Sequence, residues 1–482
     1  MMLLSMATAG ALSFAISVFV ARWLGKDEFG VYSIVISVQA VVFLLASFSM
    51  GTAIAKHVSE YRSRDEAKAM SFAKSGLVFV LILAAGVGVV YALLAHVIGS
   101  TLYDEPTMVD IIPYSALVVF SLSLFTTSLG VVQGCQRFGL MVVMQVSSPL
   151  LSLVAILVLL PAMGVQGVFI GFFSAQVLVS VVCLAALNRT GFRFLSAGLD
   201  LGRESHVVSK LGSFALPAVL GSVMVTPVFW LGNTELTLST GFEAMGLFAV
   251  AFVFFQSLMV IPNAIAVPMM PRVSELSVEK KEEIERLVRK MMRTLSIGLF
   301  PLLFAGALLS EFLVETLYGA SYSAASEAVY LMVATVYFYS LGSVIGTIIV
   351  GLGKMWLGFA LNILWAVMFL VAVVLAVPME GVNGLAISYA ASYGLFLIPV
   401  LWASQTRLKI KVTGMYIPCL SAIVLLVVGF VVQSEDVSYS LLAKAILFIA
   451  GALYFYAIGR DVFDSMYARL RNALHGSAAH KT

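Results

Sequence analysis

Residues 357–404 read LGFALNILWAVMFLVAVVLAVPMEGVNGLAISYAASYGLFLIPVLWAS and contain a single charged residue, Glu380. A helix needs about 20 apolar residues to cross the hydrocarbon core of a bilayer, so this run is long enough for two crossings. The PMEGVNG segment in its middle supplies the proline and glycines of a tight connection between them. The rest of the chain repeats the pattern. Hydrophobic residues make up 61% of the 482 residues and charged residues 11%, against about 45–50% and about 25% in soluble domains. Mean hydropathy is +1.04. So little charge cannot clothe a water-facing surface, which excludes a soluble enzyme, a secreted disulfide scaffold, a coiled coil and a disordered chain. A transmembrane β-barrel would show alternating segments of about ten residues, and none stand out. The expected class is an all-α polytopic membrane protein.

Hydrophobic windows predict fourteen spans, near 1–22, 31–54, 72–95, 109–132, 140–160, 165–187, 211–234, 244–266, 294–313, 327–350, 357–377, 382–404, 414–432 and 438–458. With the N-terminus inside, 25 of the 28 Lys and Arg residues fall on cytoplasmic connectors and the tail; only Arg22, Lys26 and Lys444 fall outside. A missed or invented helix would scramble this alternation, so the count and the positive-inside orientation support each other. Both termini are therefore expected in the cytoplasm, and the location is read as the plasma membrane of a prokaryote. The apolar start lacks a basic flank and is read as a retained first helix. A net charge of +3 over this length is no nucleic-acid footprint. Cys135, Cys183 and Cys419 lie far apart and read as packing residues. Residues 279–295 alternate charge with Ile284, Leu287, Val288, Met291, Met292 and Leu295 at helical spacing, which predicts a helix on the lipid surface leading into the ninth span.

The chain is internally duplicated. Residues 25–32 (GKDEFGVY) align with 241–248 (GFEAMGLF) at an offset of 216, and Val58-Ser59-Glu60 aligns with Val273-Ser274-Glu275 at 215. Thr101-Leu102-Tyr103 aligns with Thr316-Leu317-Tyr318 at 215, and residues 161–167 (PAMGVQG) align with 378–384 (PMEGVNG) at 217. Each match alone is weak, but four in one order at a nearly constant offset mark a repeat. Each copy holds six spans, so the halves enter the membrane in the same sense, an arrangement used by transporters that handle substrate between two repeats. The expected domains are an N-terminal six-helix lobe over 1–200, a C-terminal lobe over 201–408, an extra hairpin over 409–460 and a cytoplasmic tail over 461–482.

Residues 21–32, ARWLGKDEFGVY, resemble the ARLLG-x-x-x-(F/Y)-G-x-Y signature of polysaccharide biosynthesis proteins. These are the oligosaccharidyl-lipid flippases of the multidrug/oligosaccharidyl-lipid/polysaccharide exporter superfamily. The six-plus-six repeat and the two additional helices fit the same family, so the resemblance covers nearly the whole chain. It implies a V-shaped pair of lobes and a polyprenyl- or dolichyl-phosphate-linked glycan as cargo, flipped from the cytoplasmic to the outer leaflet. Membrane lipids, and glycan polymerases or glycosyltransferases, are the further partners expected; nucleic acid is not.

Enzymatic readings lack parts. The five histidines have no metal-ligand spacing, Leu352 stands where a phosphate-binding loop after Gly346 would need lysine, and no connector is long enough for a catalytic domain. No catalytic residue, metal or cofactor is expected. Polar residues within spans are costly and mark candidate sites. The substrate-path candidates are Arg22, Gln39, Asn233, Glu235, Gln256 and Asn362, with Asn263 beside them. For each Gln or Asn the simpler reading is a hydrogen bond between helices, for Glu235 a place at headgroup level, and for Arg22 an interfacial anchor. Arg22 also suits a carrier phosphate, because its planar fork binds phosphate bidentately and stays charged. Two functions compete: a lipid-linked glycan flippase, and a cation-coupled multidrug antiporter, which would be expected to carry mid-membrane acids in one lobe. The orientation predicts that single cysteines near Ser205 and Lys280 are labelled only from the cytoplasm, and those near Glu105 and Glu435 only from outside. Outside labelling at position 280 would overturn it.

Overall fold

A computed structural model describes residues 2–189, 225–266, 273, 281–410, 416–434, 440–460 and 462–464. The expected start of the seventh span, the connector holding Arg193, Arg203, Ser205 and Lys210, most of 267–280 and the tail beyond 464 lie outside the described residues. All regular structure among the described residues is helical. In chain order the helices are α1 (Met2–Ser47), α2 (Met50–Tyr61), α3 (Glu66–Leu93), α4 (Thr107–Gly134), α5 (Phe138–Met163), α6 (Val165–Arg189), α7 (Val225–Thr240) and α8 (Phe242–Leu258). They continue as α9 (Val260–Ala266), α10 (Lys281–Arg293), α11 (Phe300–Leu308), α12 (Ser310–Tyr318), α13 (Ser326–Gly351), α14 (Met355–Thr406), α15 (Tyr416–Ser434) and α16 (Ser440–Ile458). Nine helices among the described residues are long and apolar enough to cross a membrane, and the chain is a polytopic all-α membrane protein.

Two of the nine are double-length. At about 1.5 Å per residue, α1 and α14 far exceed the roughly 30 Å hydrocarbon core, and each is broken once by a glycine with non-helical backbone. These are Gly25 in α1 (φ 76°, ψ 174°) and Gly381 in α14 (φ 52°, ψ −119°). Positive φ is open to glycine at no steric cost, which is why glycine stands at both breaks. The repeat partners of these glycines, Gly241 (φ 93°) and Gly164 (φ 60°), take the same left-handed backbone. The duplication read from sequence is thus also a duplication of backbone geometry. At Gly167 a Cβ would collide with the Leu159 carbonyl oxygen, and at Gly384 with that of Ala376, residues related by the same offset of 217. Each copy of the P-x-x-G-x-x-G segment therefore closes its helix pair with one glycine to turn and one to touch.

Contact density divides the chain into two units, Met1–Ala249 and Val250–Thr482. The division falls inside α8, past the duplication boundary expected near 200, because α7 packs on α1 and the start of α8 meets α1 at Gly246. In the first unit α4 is the buried centre, touching α1, α2, α3 and α6, while α5 turns Val143, Leu150, Val154, Leu157 and Val158 outward as a lipid face. Two buried hydroxyls on α4 are satisfied within the helix: Ser123 donates to the Val119 carbonyl at 2.8 Å and Ser128 to Leu124 at 2.7 Å. α13 plays the same part in the second unit, with Thr335 donating to Leu331 at 2.7 Å and Ser340 to Val336 at 2.6 Å. The hairpin α15–α16 is locked onto α11 and α13: Phe455 stacks on Phe300 at 4.3 Å, and the Tyr330 hydroxyl donates to the Leu426 carbonyl at 2.8 Å.

The charged stretch expected to lie on the lipid surface does not do so with its apolar face. α10 runs through a π-helical turn (Thr294–Leu299) into α11, and Ile284, Val288, Met291 and Met292 are buried within the second unit. A helix continuous with a membrane span is held at that span's angle, so its apolar stripe meets α13 rather than lipid.

The tightest packing in the first unit joins the two copies of the 25–32 motif. A Cβ on Gly30 would collide with the Phe242 carbonyl oxygen and lie 3.1 Å from the Gly246 nitrogen; one on Gly246 would collide with the Lys26 carbonyl oxygen and lie 3.2 Å from the Gly30 nitrogen. Phe242 and Gly246 are the repeat partners of Lys26 and Gly30, so each copy meets the other with the same atoms. Close backbone approach at small residues is how helices gain contact in lipid. Gly30→Ala and Gly246→Ala should each destabilise by about 1–3 kcal/mol through overpacking. Gly86→Ala, with nothing within 4 Å of the added methyl, should be neutral. Thermal unfolding in detergent checks this; a Gly30→Ala protein melting with wild type would refute the crossing.

Candidate functional site

Two of the sequence candidates in the first unit, Gln39 and Asn233, are each hydrogen-bonded to a neighbouring helix. α1 presents Ser37 and Gln39, α4 presents Ser115, and α7 presents Asn233. Asn233 Nδ2 donates to Ser37 Oγ at 2.9 Å, and Ser115 Oγ donates to Gln39 Oε1 at 2.8 Å, with the Tyr91 hydroxyl 3.5 Å from Ser115 Oγ. Gln39 is 8% and Asn233 6% exposed. The next residue, Thr234, meets the Tyr103 hydroxyl at 2.6 Å, and Trp230 Nε1 donates to that hydroxyl at 2.9 Å. The result is a polar seam joining α1, α4 and α7 inside an apolar unit. Most of its groups are paired, but Asn233 Oδ1 is buried with no hydrogen-bond partner. A buried acceptor left unpaired is costly.

Nearer the Gly25 break the charge changes character. Lys26 forms an ion pair with Glu243 beside the glycine crossing. The hydrogen bond that Lys26 donates to Glu243, more than any other influence, holds the Lys26 amine above its ordinary value. A recess of about 310 Å³ in the same unit is lined by Glu28, Thr107, Asp110 and Gln166 among others. At an offset of 217 the partners of Asp110 and Gln166 are Glu327 and Asn383, and there the amide of Asn383 donates directly to the carboxylate. The pair bonded in one half thus lines an open recess in the other.

The remaining candidates stand apart from the seam. Arg22 is exposed on α1 just before the Gly25 break, and Glu235 is half-buried on α7. In the second unit Gln256 is exposed and Asn362 half-buried, while Asn263 accepts from the Tyr339 hydroxyl at 3.3 Å. Ser37, Ser115, Tyr103, Thr234 and Trp230 were missed in the sequence because hydroxyl and aromatic residues in a span carry no period or motif of their own. Cys135 and Cys183 are buried as read, Cys419 partly so, and burial pushes the Cys135 thiol up to about 11. Among the described residues no group of His, Cys, Asp and Glu is placed to hold a metal ion.

The seam has a measurable energetic consequence. Tyr103→Phe removes the hydroxyl shared by Thr234 and Trp230, and should cost about 1–3 kcal/mol because polar groups are left unpaired in a buried place. Ser239→Ala removes only a bond to its own helix backbone and should be nearly silent in the same melting assay. Equal stability of Tyr103→Phe and wild type would remove the seam from the structural account.

Residues 19–327 match the family model described as polysaccharide biosynthesis protein. No curated protein matches the chain by sequence. Among solved structures, the inward closed conformation of the lipid II flippase MurJ is similar at a TM-score of 0.73 and 13% identity, covering 96% of this chain and 100% of its own. An inward-facing multidrug resistance MATE family transporter of the MOP superfamily follows at a TM-score of 0.65, 16% identity, and 84% and 96% coverage. A MOP superfamily transporter from Pyrococcus furiosus gives 0.64, 14% identity, and 84% and 94% coverage. At these identities the likeness establishes the fold, while the family match spans well over half the residues. The chain belongs to the polysaccharide biosynthesis protein family and has the fold of the MOP superfamily transporters.

Proposed function

We propose that this protein flips a lipid-linked oligosaccharide or polysaccharide repeat unit from the cytoplasmic to the outer leaflet by alternating access. The observation that carries this reading is membership of the polysaccharide biosynthesis family by a duplicated chain with buried polar seams at membrane depth. The nine long apolar helices, two of them broken into pairs, together with α7, α15 and α16, fit fourteen crossings in two six-helix lobes over 1–200 and 201–408 plus a hairpin over 409–460. The tail over 461–482 and the N-terminus lie in the cytoplasm of a prokaryotic cell, with the chain in its plasma membrane. The cargo is a polyprenyl- or dolichyl-phosphate-linked glycan, held among membrane lipids and handed on to glycan polymerases or received from glycosyltransferases.

Lipid-linked cargo has three parts, and each makes a different demand. The lipid tail needs only an apolar path. The glycan needs amides and hydroxyls, of the kind that Gln39, Asn233, Gln256 and Asn362 supply. The phosphate needs a cation, and Arg22 is the candidate: it lies at the end of the first span, inside the family-like signature, and its repeat partner is Leu238. A role shared by both halves for architectural reasons alone would retain a cation at both positions. A cation-coupled multidrug antiporter is the competing reading, since transporters of that kind share the fold. In the seam of the first unit the polar groups are amides and hydroxyls, with no carboxylate among them, which favours glycan over ion coupling.

A cell deleted for this protein should accumulate lipid-linked glycan on the cytoplasmic leaflet and lose surface polymer, with drug susceptibility unchanged. Returning the Arg22→Lys form should restore flipping only in part, because the charge stays but the bidentate fork is lost; Arg22→Ala should not restore it. Normal surface glycan in the deletion, with no second gene of the kind, would refute the function. A wild-type flipping rate in Arg22→Ala would make Arg22 an anchor.

A further inference from the structure

The duplicated halves have diverged at mid-membrane depth. In the first unit the central positions are Gln39, Ser148 and Gln176; Gln39 accepts from Ser115 at 2.8 Å and Gln176 from Ser121 at 2.7 Å. The offsets of 216 and 217 carry these three positions to Phe255, Trp365 and Tyr393. A shared fold asks both halves for similar packing volume at equivalent places, so replacing small polar groups by three aromatic rings calls for another cause.

These rings form one cluster in the second unit. Tyr393 lies 5.0 Å from Trp365, 5.7 Å from Tyr339 and 6.3 Å from Phe255, centroid to centroid. Phe255 and Trp365 are buried behind it, whereas Tyr339 and Tyr393 keep part of their surface open. An amide flanks the open side: Asn263 accepts from the Tyr339 hydroxyl at 3.3 Å. Tyr339 is at the midpoint of α13, and Tyr393 is near the midpoint of the second half of α14. Hydroxyls and amides at that depth turn to a bundle interior or aqueous cavity rather than to hydrocarbon.

We infer that Tyr339 and Tyr393, backed by the buried Trp365 and Phe255 and flanked by Asn263, form a platform for a pyranose ring of the cargo glycan. This rests on the flippase reading and names the part of the cargo that the second unit holds. A pyranose has an apolar C–H face and a rim of hydroxyls. Aromatic rings match the face, and the flanking amide, which both donates and accepts, matches the rim. A bare lipid phosphate has neither feature, so the platform would discriminate glycosylated from unglycosylated carrier.

The test uses the purified full-length protein in lipid nanodiscs and two probes: undecaprenyl diphosphate bearing an N-acetylglucosamine disaccharide, and undecaprenyl diphosphate without sugar. Wild type should bind the glycosylated probe about tenfold more tightly, the worth of one to two stacking contacts. Tyr393→Leu should bind both probes alike. Tyr393→Phe keeps a ring and should retain most of the contrast, which separates stacking from folding should the leucine form prove unstable. Asn263→Ala should lose about threefold, on the glycosylated probe only. Equal binding of the two probes by wild type, or an undiminished contrast in a folded Tyr393→Leu protein, overturns the platform while leaving the flippase reading standing. Binding of neither probe, with tight binding of tetraphenylphosphonium instead, overturns both.

Discussion

Hydrocarbon offers a peptide bond no hydrogen-bond partner, and this constraint governs the rest of the molecule. Each backbone donor and acceptor at membrane depth must be satisfied within the chain, so the described residues adopt helices as their regular structure, and buried hydroxyls such as those of Ser123, Ser128, Thr335 and Ser340 return to carbonyls one turn back. Without a hydrophobic force between helices in lipid, cohesion comes from close van der Waals approach. Gly30 against Gly246 and Gly51 against Gly130 give that approach at places where even a methyl group would collide with a backbone oxygen. Glycine serves in a second way at Gly25, Gly164, Gly241 and Gly381, where only a positive φ lets a long apolar run bend between crossings.

Duplication multiplied these solutions and then allowed them to diverge. The turning glycines and the touching glycines recur at offsets of 216 and 217 because every copy faces the same geometric demand. The side chains between them were freer to change. Asp110 and Gln166 line a recess, while Glu327 and Asn383 are bonded to each other. Gln39 and Gln176 accept hydrogen bonds from serines, while Phe255 and Tyr393 stack. Conserving the backbone device while changing the interior chemistry gives a transporter two unlike interiors from one scaffold.

Much of this was legible before any coordinates, and the reasons are specific. The membrane class follows from charge content alone. The helix pair in α14 follows from forty-odd apolar residues around PMEGVNG, and the repeat from four matches at a constant offset. Gln39 and Asn233 stood out because an amide within an apolar run is expensive. Tyr103, Trp230 and Thr234 did not, since an aromatic or hydroxyl residue in a span is ordinary by composition and acquires meaning only from its neighbour across the bundle. The charged stretch from 279 to 295 has the period of a surface helix. Its period fits equally well a helix whose apolar stripe faces protein, and only continuity with α11 distinguishes the two.

The sequence by itself therefore determined the solvent of the fold, the number of copies of its repeat, and the positions where the backbone had to turn, since each depends on local composition, period or the special freedom of glycine. Tertiary structure alone decided which polar groups meet, that the two motif copies cross through their glycines, and that three aromatic residues distant in the chain lie in one layer. Those are properties of pairs far apart in the chain, and no local pattern encodes a partner some two hundred residues away.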